Sequence, residues 1–266
     1  MREFMDFAAG LAEESGHGIL HWFRAGTEVH YKADQTPVTQ ADREAEHLMR
    51  RRIEKAYPSH RILGEEAGMS GGGDGQPQEK GYQWVLDPID GTKAFIHGVP
   101  LFGTLIALLK DGLPVLGVIH LPALGQLLMG ARGEPTTLNG TPVRVSTVAR
   151  LEEAAVLMTS PATLFEQGWG EGFHRLRGRA RLMRGWGDCY GHFLVATGKA
   201  EVMLDPVLNL WDIAPMGPIL EGAGGVITDM TGRPGGMGNS GLSTNGLLHR
   251  EVLEVLGKNS PSKQTG

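Results

Sequence analysis

The feature that most constrains the fold of this chain is the segment Trp84–Lys93, with the sequence WVLDPIDGTK. It begins with apolar and aromatic residues, which predict a short buried strand, and the carboxylates of Asp87 and Asp90 follow where that strand breaks. Pro88 cannot continue a ladder of sheet hydrogen bonds, and Gly91 allows a tight turn. Two anionic oxygen ligands on one turn, with a backbone carbonyl between them, meet the requirements of a Mg²⁺ site. The same residues also occur in ordinary turns, so this segment alone does not decide between the two interpretations.

Two other acidic segments strengthen the metal interpretation. Ile62–Glu66 is a short apolar run that ends in the paired carboxylates of Glu65 and Glu66. Far downstream, Trp211 precedes Asp212 at the start of a predicted helix. Taken singly, a glutamate pair is most often a solvated surface, and an aspartate before an apolar run most often caps a helix. The three segments together, in this order, favour a single acidic site.

These segments closely resemble the signatures of the inositol-monophosphatase-like superfamily of Mg²⁺-dependent, lithium-sensitive phosphatases. The signatures are a Gly-Glu-Glu segment, a Trp-x-x-Asp-Pro-Ile/Leu-Asp-Gly-Thr strand and turn, and a Trp-Asp pair that opens a C-terminal helix. The resemblance extends from Thr36–Asp42 to Glu221–Gly225. It implies an α/β fold, a layered α/β/α/β/α sandwich of the inositol monophosphatase and fructose-1,6-bisphosphatase type. In this fold the metals would lie between an N-terminal half (residues 1–135) and a C-terminal half (residues 136–266).

The rest of the sequence predicts alternating strands and helices. Thr39–Asp42 has the spacing of a capping box and predicts the start of a charged helix that runs to about Ala56. Asn139-Gly140 predicts a turn, and the glycine-rich stretch 68–81 predicts a flexible loop or hairpin tip. The other expected elements are helices over 1–25, 162–176, 188–197 and from 212, and strands near 101–109, 113–121, 126–131, 154–158, 182–184 and 201–204. Strands that alternate with helices in the second half indicate an α/β architecture.

Composition narrows the class of protein. The chain has 266 residues and a formal net charge of −5, which argues against a general nucleic-acid binder. The most apolar region, 99–129, is interrupted by Lys110 and Asp111, so we expect no membrane span, and the N-terminus lacks the pattern of a signal peptide. Cys189 is the only cysteine, so no disulfide can form within the chain and a cytoplasmic location is expected. We expect a small phosphate ester as the partner and a homodimer as the assembly.

The resemblance implies which residues bind the metal. The first of two or three Mg²⁺ ions would be held by Glu65, Asp87 and the carbonyl group of Ile89. The second would be held by Asp87, Asp90 and Asp212, and a third, weaker ion would again use Glu65. Two carboxylates about 5 Å apart repel by roughly 3 kcal/mol at an effective dielectric constant near 20, so acids gathered in one cleft need cations. Paired ions can stabilise both the attacking and the leaving oxygen of an in-line displacement.

The resemblance also implies roles in catalysis. Glu65 and Thr92 would orient and deprotonate the attacking water, and Asp42 would lie near that water and the third ion. Asp42 also fits a helix cap, and the two roles are compatible. The backbone N–H groups of Gly91 and Thr92 are suited to binding phosphate oxygens. The residues expected at the substrate are Ile89, Asp90, Gly91, Thr92, Arg184, Asp188, Asp205 and Asp212.

Two segments bear on which ester is hydrolysed. Inositol phosphatases usually have a small residue at the position of Asp188 and a glutamate at that of Asp205, and this chain departs from both. The segments 184–191 (RGWGDCYG) and 201–207 (EVMLDPV) instead resemble the histidinol-phosphate phosphatase branch. Histidinol phosphate carries an ammonium group and an imidazole, which two carboxylates would bind. Asp188 also fits a helix cap, and Asp205 also fits the start of a turn with Pro206.

The sequence therefore predicts a Mg²⁺-dependent phosphate monoester hydrolase. The first choice of substrate is L-histidinol phosphate, hydrolysed to L-histidinol and phosphate in histidine biosynthesis. An inositol 1-phosphatase, or a broader sugar, polyol or nucleotide monophosphatase, is the alternative. A non-catalytic protein that binds phosphate esters is a third hypothesis, which the full set of acids disfavours because a binding protein has no need of them.

Overall fold

Alternating strands and helices run through the computed structural model, which describes residues 1–26, 28–31, 37–71, 81–234 and 238–257. The helices are α1 (Arg2–Ala25), α2 (Gln40–Ala56), α3 (Thr92–Ile96), α4 (Pro161–Glu166), α5 (Gly170–Arg177), α6 (Asp188–Ala196), α7 (Leu210–Ile213), α8 (Met216–Ala223) and α9 (His249–Leu256), with 3₁₀ turns at Pro122–Leu124 and Leu151–Glu153. The strands are β1 (Val29–Tyr31), β2 (Pro37–Thr39), β3 (Arg61–Gly64), β4 (Gly68–Gly71), β5 (Tyr82–Asp90), β6 (Gly103–Lys110), β7 (Leu113–Leu121), β8 (Gln126–Ala131), β9 (Thr137–Leu138), β10 (Thr141–Pro142), β11 (Ala155–Met158), β12 (Leu182–Arg184), β13 (Val202–Asp205), β14 (Val226–Thr228) and β15 (Gly241–Thr244).

Two mixed sheets organise these elements. The first has the strand order β10-β9-β8-β7-β6-β5-β3-β4, in which β3 and β5 are parallel and the other neighbours are antiparallel. The second has the order β12-β11-β13-β15-β14, in which β11 is parallel to both β12 and β13. In both sheets the parallel strands therefore end at a common edge, where side chains from segments distant in sequence can meet.

The apolar faces of helices and sheets stack in layers. Leu11 of α1 and Met49 of α2 pack with Leu86 on one face of the first sheet. Phe193 of α6 and Ile219 of α8 lie in the core between the two sheets. Helices α4, α5 and α9 cover the outer face of the second sheet. The layered α/β/α/β/α prediction is confirmed, and each layer forms because an amphipathic element must bury its apolar face.

Most of the predicted elements occur at or close to the expected positions. Strands β7, β8 and β12 have the predicted bounds, and Asn139-Gly140 forms the turn between β9 and β10. The capping box is also confirmed, because Asp42 Oδ2 accepts hydrogen bonds from Thr39 N at 2.7 Å and Thr39 Oγ1 at 2.6 Å. These features depend on neighbouring residues, which explains why the sequence predicts them well.

Three predicted elements differ in the structure. The helix predicted over 162–176 is wrong as one helix, because Gly168 adopts φ 76° between α4 and α5 and a left-handed residue ends a helix. The helix predicted from 212 is two helices, α7 and α8, separated by Pro215, which has no N–H group to continue the first. The stretch 68–81 is predicted to be a flexible loop or hairpin tip, yet its first four residues form β4, the second strand of a hairpin with β3. Residues 72–80 of that stretch lie outside the described residues.

Two predictions concern organisation beyond single elements. The division into halves at residue 135 stays a prediction, and the first sheet extends past that residue through β9 and β10 to Pro142. Within the ranges given above, no helix has both the length and the apolar character needed to cross a membrane.

Candidate active site

The parallel pair β3 and β5 brings the first two acids together. Gly64, the last residue of β3, pairs with Leu86 of β5. The next residue, Glu65, donates its backbone N–H to Leu86 O at 3.1 Å. Asp87 follows Leu86 on β5, so the backbone register alone places the two carboxylates at the same edge of the sheet.

A bulge in β5 brings the third acid to the same side. Asp87 pairs with Leu105 of β6 while Asp90 pairs with Gly103, so three steps along β5 oppose two along β6. In a regular strand, residues three apart point to opposite faces. The extra residue of the bulge cancels that alternation and turns both aspartates towards one site. Pro88, at the bulge, has no N–H group, so its position outside the regular ladder leaves no donor unpaired.

The turn after the bulge requires a glycine and is held by a threonine. Gly91 has φ 82°, in the left-handed region, and is the N-cap residue of α3. A Cβ atom at this position would lie 3.1 Å from Leu101 O and 3.5 Å from Asp188 Oδ2. Thr92 Oγ1 donates to Ile89 O at 2.9 Å, which closes the turn over the bulge. The Asp-Gly-Thr motif therefore builds a narrow turn with the Asp188 carboxylate directly beside it.

The fourth acid, Asp212, lies on helix α7 in the second half of the chain. Trp211 packs in a small core cluster with Val85 of β5, which anchors the helix on the first sheet. One oxygen of Asp212 accepts a hydrogen bond from Asn209 N at 2.6 Å, closing a capping box at the start of α7. The predicted Trp-Asp helix start is confirmed, and tryptophan and aspartate have separate tasks: one anchors the helix, and the other supplies a carboxylate.

Asp87, Asp90 and Asp212 form a group that can hold a metal ion. Each offers one carboxylate oxygen, and these oxygens lie within 4.8 Å of one another. Asp87 is 2% exposed, and its Oδ1 atom is buried without a hydrogen-bond partner. Burial, and then neighbouring carboxylates with Glu65 first, raises the pKa of Asp87 well above its usual value. A buried oxygen without a donor, among acids that repel one another, fits a bound cation.

The start of α6 contacts this group directly. Cys189 N donates to Asp90 Oδ2 at 2.5 Å, so the helix holds the carboxylate in place. Even so, burial and then the charge of Asp188 raise the pKa of Asp90 well above its usual value. Cys189 is 2% exposed, so it packs as a small buried residue. Gly187 occupies the N-cap position of α6, so the helix-cap alternative for Asp188 is wrong.

A threonine joins Asp188 to Asp205. Asp205 ends β13, is 5% exposed, and accepts a hydrogen bond at 2.7 Å from Thr159 Oγ1, which follows the parallel strand β11. The same hydroxyl oxygen accepts a hydrogen bond at 2.9 Å from the backbone N–H of Asp188. Burial raises the pKa of Asp205 well above its usual value. Burial also raises the pKa of Asp188, and the opposing effect of the Lys93 charge is smaller. The buried carboxylate of Asp205 is thus linked through one side chain to the backbone of the half-buried Asp188, which lies in a distant segment.

The remaining predicted residues lie around this centre. Asp42 caps α2, and burial, followed by the charges of Glu66 and Glu65, raises its pKa to about 6 although the bonds from Thr39 lower it. Arg184 is exposed at the end of β12, and its Nη1 donates to the carbonyl group of Met183 at 2.8 Å. No hydrogen bond or ion pair joins Arg184 to the site acids in the part of the chain that the structure describes.

Sequence reasoning missed two groups that shape the site. The only sequence feature that marks Thr159 is its position directly after a predicted buried strand, and this feature does not predict a hydrogen bond to Asp205. Glu46 and Arg50 have the i, i+4 spacing of an ion pair on the predicted charged helix. Most such pairs are solvated, so the spacing could not show that this one is buried against the turn that carries Glu65.

Comparisons with known proteins agree with the fold. The sequence profile of the inositol monophosphatase family matches residues 1–262. A histidinol-phosphatase of Chlorobaculum parvum is 43% identical over 255 residues, which cover 95% of this chain and 96% of that protein. A fructose-1,6-bisphosphatase/inositol-1-monophosphatase of Thermotoga maritima is 32% identical and covers 95% of each chain. The crystal structure of the extragenic suppressor protein suhB from Bartonella henselae superimposes with a TM-score of 0.87 at 25% identity, covering 97% of this chain and 100% of that one.

Proposed function

The chain belongs to the inositol monophosphatase family and is a phosphoric monoester hydrolase, and from that premise we propose that it hydrolyses L-histidinol phosphate with Mg²⁺ as the cofactor. The observation that carries the choice of substrate is the presence of two acids, the half-buried Asp188 and the buried Asp205, in segments that Thr159 Oγ1 joins by bonding the Asp205 carboxylate and the Asp188 backbone N–H. Asp188 also lies beside the Asp-Gly-Thr turn at Gly91, where the phosphate would bind.

A cationic substrate suits this pair better than a neutral polyol. Burial disfavours the charged form of both Asp188 and Asp205, as their raised pKa values show. The ammonium group or the imidazolium of histidinol phosphate would stabilise the ionised carboxylates through charge-assisted hydrogen bonds. A sugar hydroxyl could donate hydrogen bonds to these carboxylates, but it carries no charge and would leave both negative charges uncompensated. The 43% identity to a histidinol-phosphatase supports the same choice.

The metal-side residues fit the proposed cofactor. The residues that would hold Mg²⁺ are Glu65, Asp87, Asp90, Asp212 and the carbonyl group of Ile89. They are all oxygen ligands, which Mg²⁺ prefers, and the unpartnered Oδ1 of Asp87 is ready to coordinate. Bound Mg²⁺ would lower the pKa of a water molecule and stabilise charge on the phosphate and on the leaving oxygen.

The protein residues would orient the water and move its proton. Thr92 Oγ1 gives its hydrogen to Ile89 O, so its lone pairs can accept a hydrogen bond from the attacking water. The carboxylate of Glu65 then takes the other proton of that water as the general base. The backbone N–H groups of Gly91 and Thr92 would bind the phosphate oxygens. Asp42 has a pKa of about 6, so it would be able to accept or release a proton near Glu65 at close to neutral pH.

At the leaving-group end, the chain selects the alcohol. Asp188 and Asp205 would bind the cationic part of the substrate, at a distance from the phosphorus atom. Arg184 and Asp212 complete the expected substrate contacts, Arg184 from the exposed end of β12. Selection is thus assigned mainly to Asp188 and Asp205, and Asp212 would take part in both selection and chemistry.

A broader monophosphatase is the second candidate. The Thermotoga maritima relative, at 32% identity, is named for two phosphate esters without a cationic group, so the fold alone does not impose the choice. Under that alternative Asp188 and Asp205 would bind hydroxyl groups. A panel of histidinol phosphate, inositol 1-phosphate, fructose 1,6-bisphosphate and AMP, each with saturating Mg²⁺, separates the two.

We expect kcat/KM for histidinol phosphate to exceed that for each other ester by at least about tenfold, the value of one charge-assisted hydrogen bond. Equal values across the panel would favour the broader phosphatase. Failure to release phosphate from any ester would favour the non-catalytic binding protein. A homodimer in a reducing cytoplasm stays part of the proposal, and light scattering coupled to size-exclusion chromatography measures the assembly.

A further inference from the structure

The turn that carries Glu65 is held from outside by helix α2. Glu46 and Arg50 lie one helical turn apart on the inner face of this helix, and Arg50 Nε donates to Glu46 Oε1 at 2.7 Å. Both side chains are buried, with 9% of Arg50 and 2% of Glu46 exposed. A Cβ atom at Gly64 would lie 2.4 Å from the Glu46 carboxyl carbon, so the ion pair is packed directly against the end of β3.

The two charged groups bind the turn residue by residue. Glu46 Oε2 accepts from Glu66 N at 2.7 Å, and Glu46 Oε1 accepts from Ala67 N at 3.0 Å. On the other side of the ion pair, Arg50 Nη2 donates to Gly68 O at 2.5 Å and Nη1 donates to Ser70 Oγ at 2.7 Å. The pair therefore meets the hydrogen-bonding needs of three consecutive residues, 66 to 68, and of one more beyond them.

The hydrogen bonds made by Glu46 and Arg50 restrain the backbone next to Glu65. The backbone N–H of Glu65 is already held by Leu86 O of β5, at 3.1 Å. Glu46 holds the next two N–H groups, so the backbone is tied on both sides of the Glu65 side chain. A solvated pair on α2 would support the helix equally well, and burying two charges is unfavourable unless their geometry is well satisfied. The buried position is therefore explained by the turn and not by the helix.

We propose that Glu46 and Arg50 are positioning residues, which fix the turn 64–70 so that the Glu65 carboxylate faces Asp87 in a geometry ready for the metal. This inference rests on the proposed function, in which Glu65 is a metal ligand and the general base. Neither side chain of the pair contacts the substrate. In many metal sites, residues that do not touch the metal orient the ligands that do, and mutation of these residues weakens metal binding. We assign this kind of role to Glu46 and Arg50.

Glu46→Gln is the sharpest test, because it keeps the size of the side chain. One carboxylate oxygen becomes an NH₂ group, which cannot accept from a backbone N–H, so either Glu66 N or Ala67 N loses its acceptor. We expect the Mg²⁺ affinity of the chelated, folded protein, measured by calorimetric titration, to fall by about 10- to 100-fold. The rate of p-nitrophenyl phosphate hydrolysis should fall at low Mg²⁺ and recover as Mg²⁺ is raised, with little change in KM.

A second variant and a matched control keep the test decisive. Arg50→Lys retains the positive charge beside Glu46 but cannot reach both Gly68 O and Ser70 Oγ, so it should show a smaller loss of Mg²⁺ affinity in the same direction. The control is Glu254→Gln, which opens the exposed i, i+4 pair with Arg250 on α9, 3.8 Å apart and far more exposed. It should leave Mg²⁺ affinity unchanged.

The outcomes separate this inference from the proposed function. If Glu46→Gln does not fold, Arg50→Lys and Ser70→Ala decide the question, since Ser70→Ala removes one hydrogen bond and leaves the ion pair intact. Folded variants that have lower melting temperatures but bind Mg²⁺ as the unmodified protein does would overturn the positioning role and leave a stabilising one. Absence of Mg²⁺-dependent phosphate release in the unmodified protein would instead refute the proposed function itself.

Discussion

The acids on the two sides of this site are positioned by different kinds of interaction. After the roles proposed above, we call Glu65, Asp87, Asp90 and Asp212 the metal-side acids, and Asp188 and Asp205 the substrate-side acids. Backbone pairing places most of the metal-side acids: the register of β3 and β5, and the bulge against β6. On the substrate side, one hydroxyl group, Thr159 Oγ1, links two segments that are otherwise far apart in the chain.

The difference has a consequence for substitution. A sheet register involves many backbone bonds, so replacing one metal-side carboxylate should change the chemistry without moving its neighbours. The substrate-side acids depend on a few side-chain contacts between loops and strand ends, where proteins tolerate change. Under the proposed function, such an arrangement would let relatives that are named for different esters share one reaction centre.

Removal of the metal should have the largest effect. Exhaustive chelation is expected to abolish phosphate release, and Mg²⁺ should restore it, because the metal-side acids repel one another and cannot bind phosphate without cations. Li⁺ should inhibit the restored enzyme, as the resemblance to its family implies. The measurement is phosphate release before chelation, after it and after Mg²⁺ is returned. Full activity in the chelated protein would remove the metal from the mechanism and end the distinction between the two sides.

Asp87→Asn should come next in magnitude. It removes the buried, unpartnered carboxylate at the centre of the metal side, and we expect kcat to fall by about 10³-fold or more on every substrate. The melting temperature should not fall, because the change removes a charge that burial disfavours. Steady-state kinetics and thermal unfolding check both statements, with Asp6→Asn on the exposed face of α1 as the control. A rate near that of the unmodified protein would show that this segment is only a turn.

Asp188→Asn should separate the two sides most clearly. If Asp188 binds the cationic end of histidinol phosphate, kcat/KM for that ester should fall by roughly 10- to 200-fold, the effect of a charge-assisted hydrogen bond of about 1.5–3 kcal/mol. Turnover of p-nitrophenyl phosphate should be nearly unchanged, because the metal-side acids are untouched. Equal losses on both substrates would assign Asp188 to the structure of the cleft, and no loss on either would favour the broader phosphatase.

Thr159→Val should give a smaller effect of the same kind. Valine keeps the shape of threonine but removes the bond to Asp205 and the acceptor for the Asp188 N–H, each a bond worth about 1 kcal/mol. We expect kcat/KM for histidinol phosphate to fall by roughly 5- to 30-fold, with p-nitrophenyl phosphate little affected. Thr197→Val is the matched control, because that hydroxyl bonds only to carbonyl groups of its own helix, α6. Similar kinetics for the two variants would show that the Thr159 link does not set substrate choice.

The pH dependence of stability should be the smallest effect. The pKa of Asp42 is about 6 in the folded chain and 3.8 in the reference state. Between these values the folded protein binds more protons than the unfolded one, so the free energy of unfolding decreases as pH rises. This contribution is complete below about pH 4 and is lost as pH rises through about 6.

Denaturant titrations of the chelated protein between pH 4 and 7 measure that slope. Asp42→Asn should remove only its own part of the slope, because buried acids such as Asp87 and Asp205 also have raised pKa values. Mg²⁺ should raise stability most at the higher pH, where the acids are ionised and free to bind it. A stability that rises over this interval, with or without Asp42, would contradict the raised pKa.

Much of the fold could be predicted because its signals are local. Apolar runs between turns define β7 and β8, and the Thr39–Asp42 spacing defines the start of α2. The single helix predicted over 162–176 was wrong because of one residue. Gly168, in a left-handed conformation, divides a helix that the spacing of apolar residues alone would continue. Such a conformation is an option for any glycine, and packing of α4 and α5 decides whether it is used.

The metal-side motifs, the order of the elements and the family all follow from the amino-acid sequence, because each is a pattern of neighbouring residues or a resemblance carried by such patterns. Three features emerge only when the chain is folded: the bulge turns Asp87 and Asp90 to one side, Thr159 joins Asp188 to Asp205, and the Glu46–Arg50 pair is buried. The physical reason is common to all three. A carboxylate, a hydroxyl or an ion pair has the same local sequence signal in water and in a core, and its partners and its pKa depend on which distant segments fold against it.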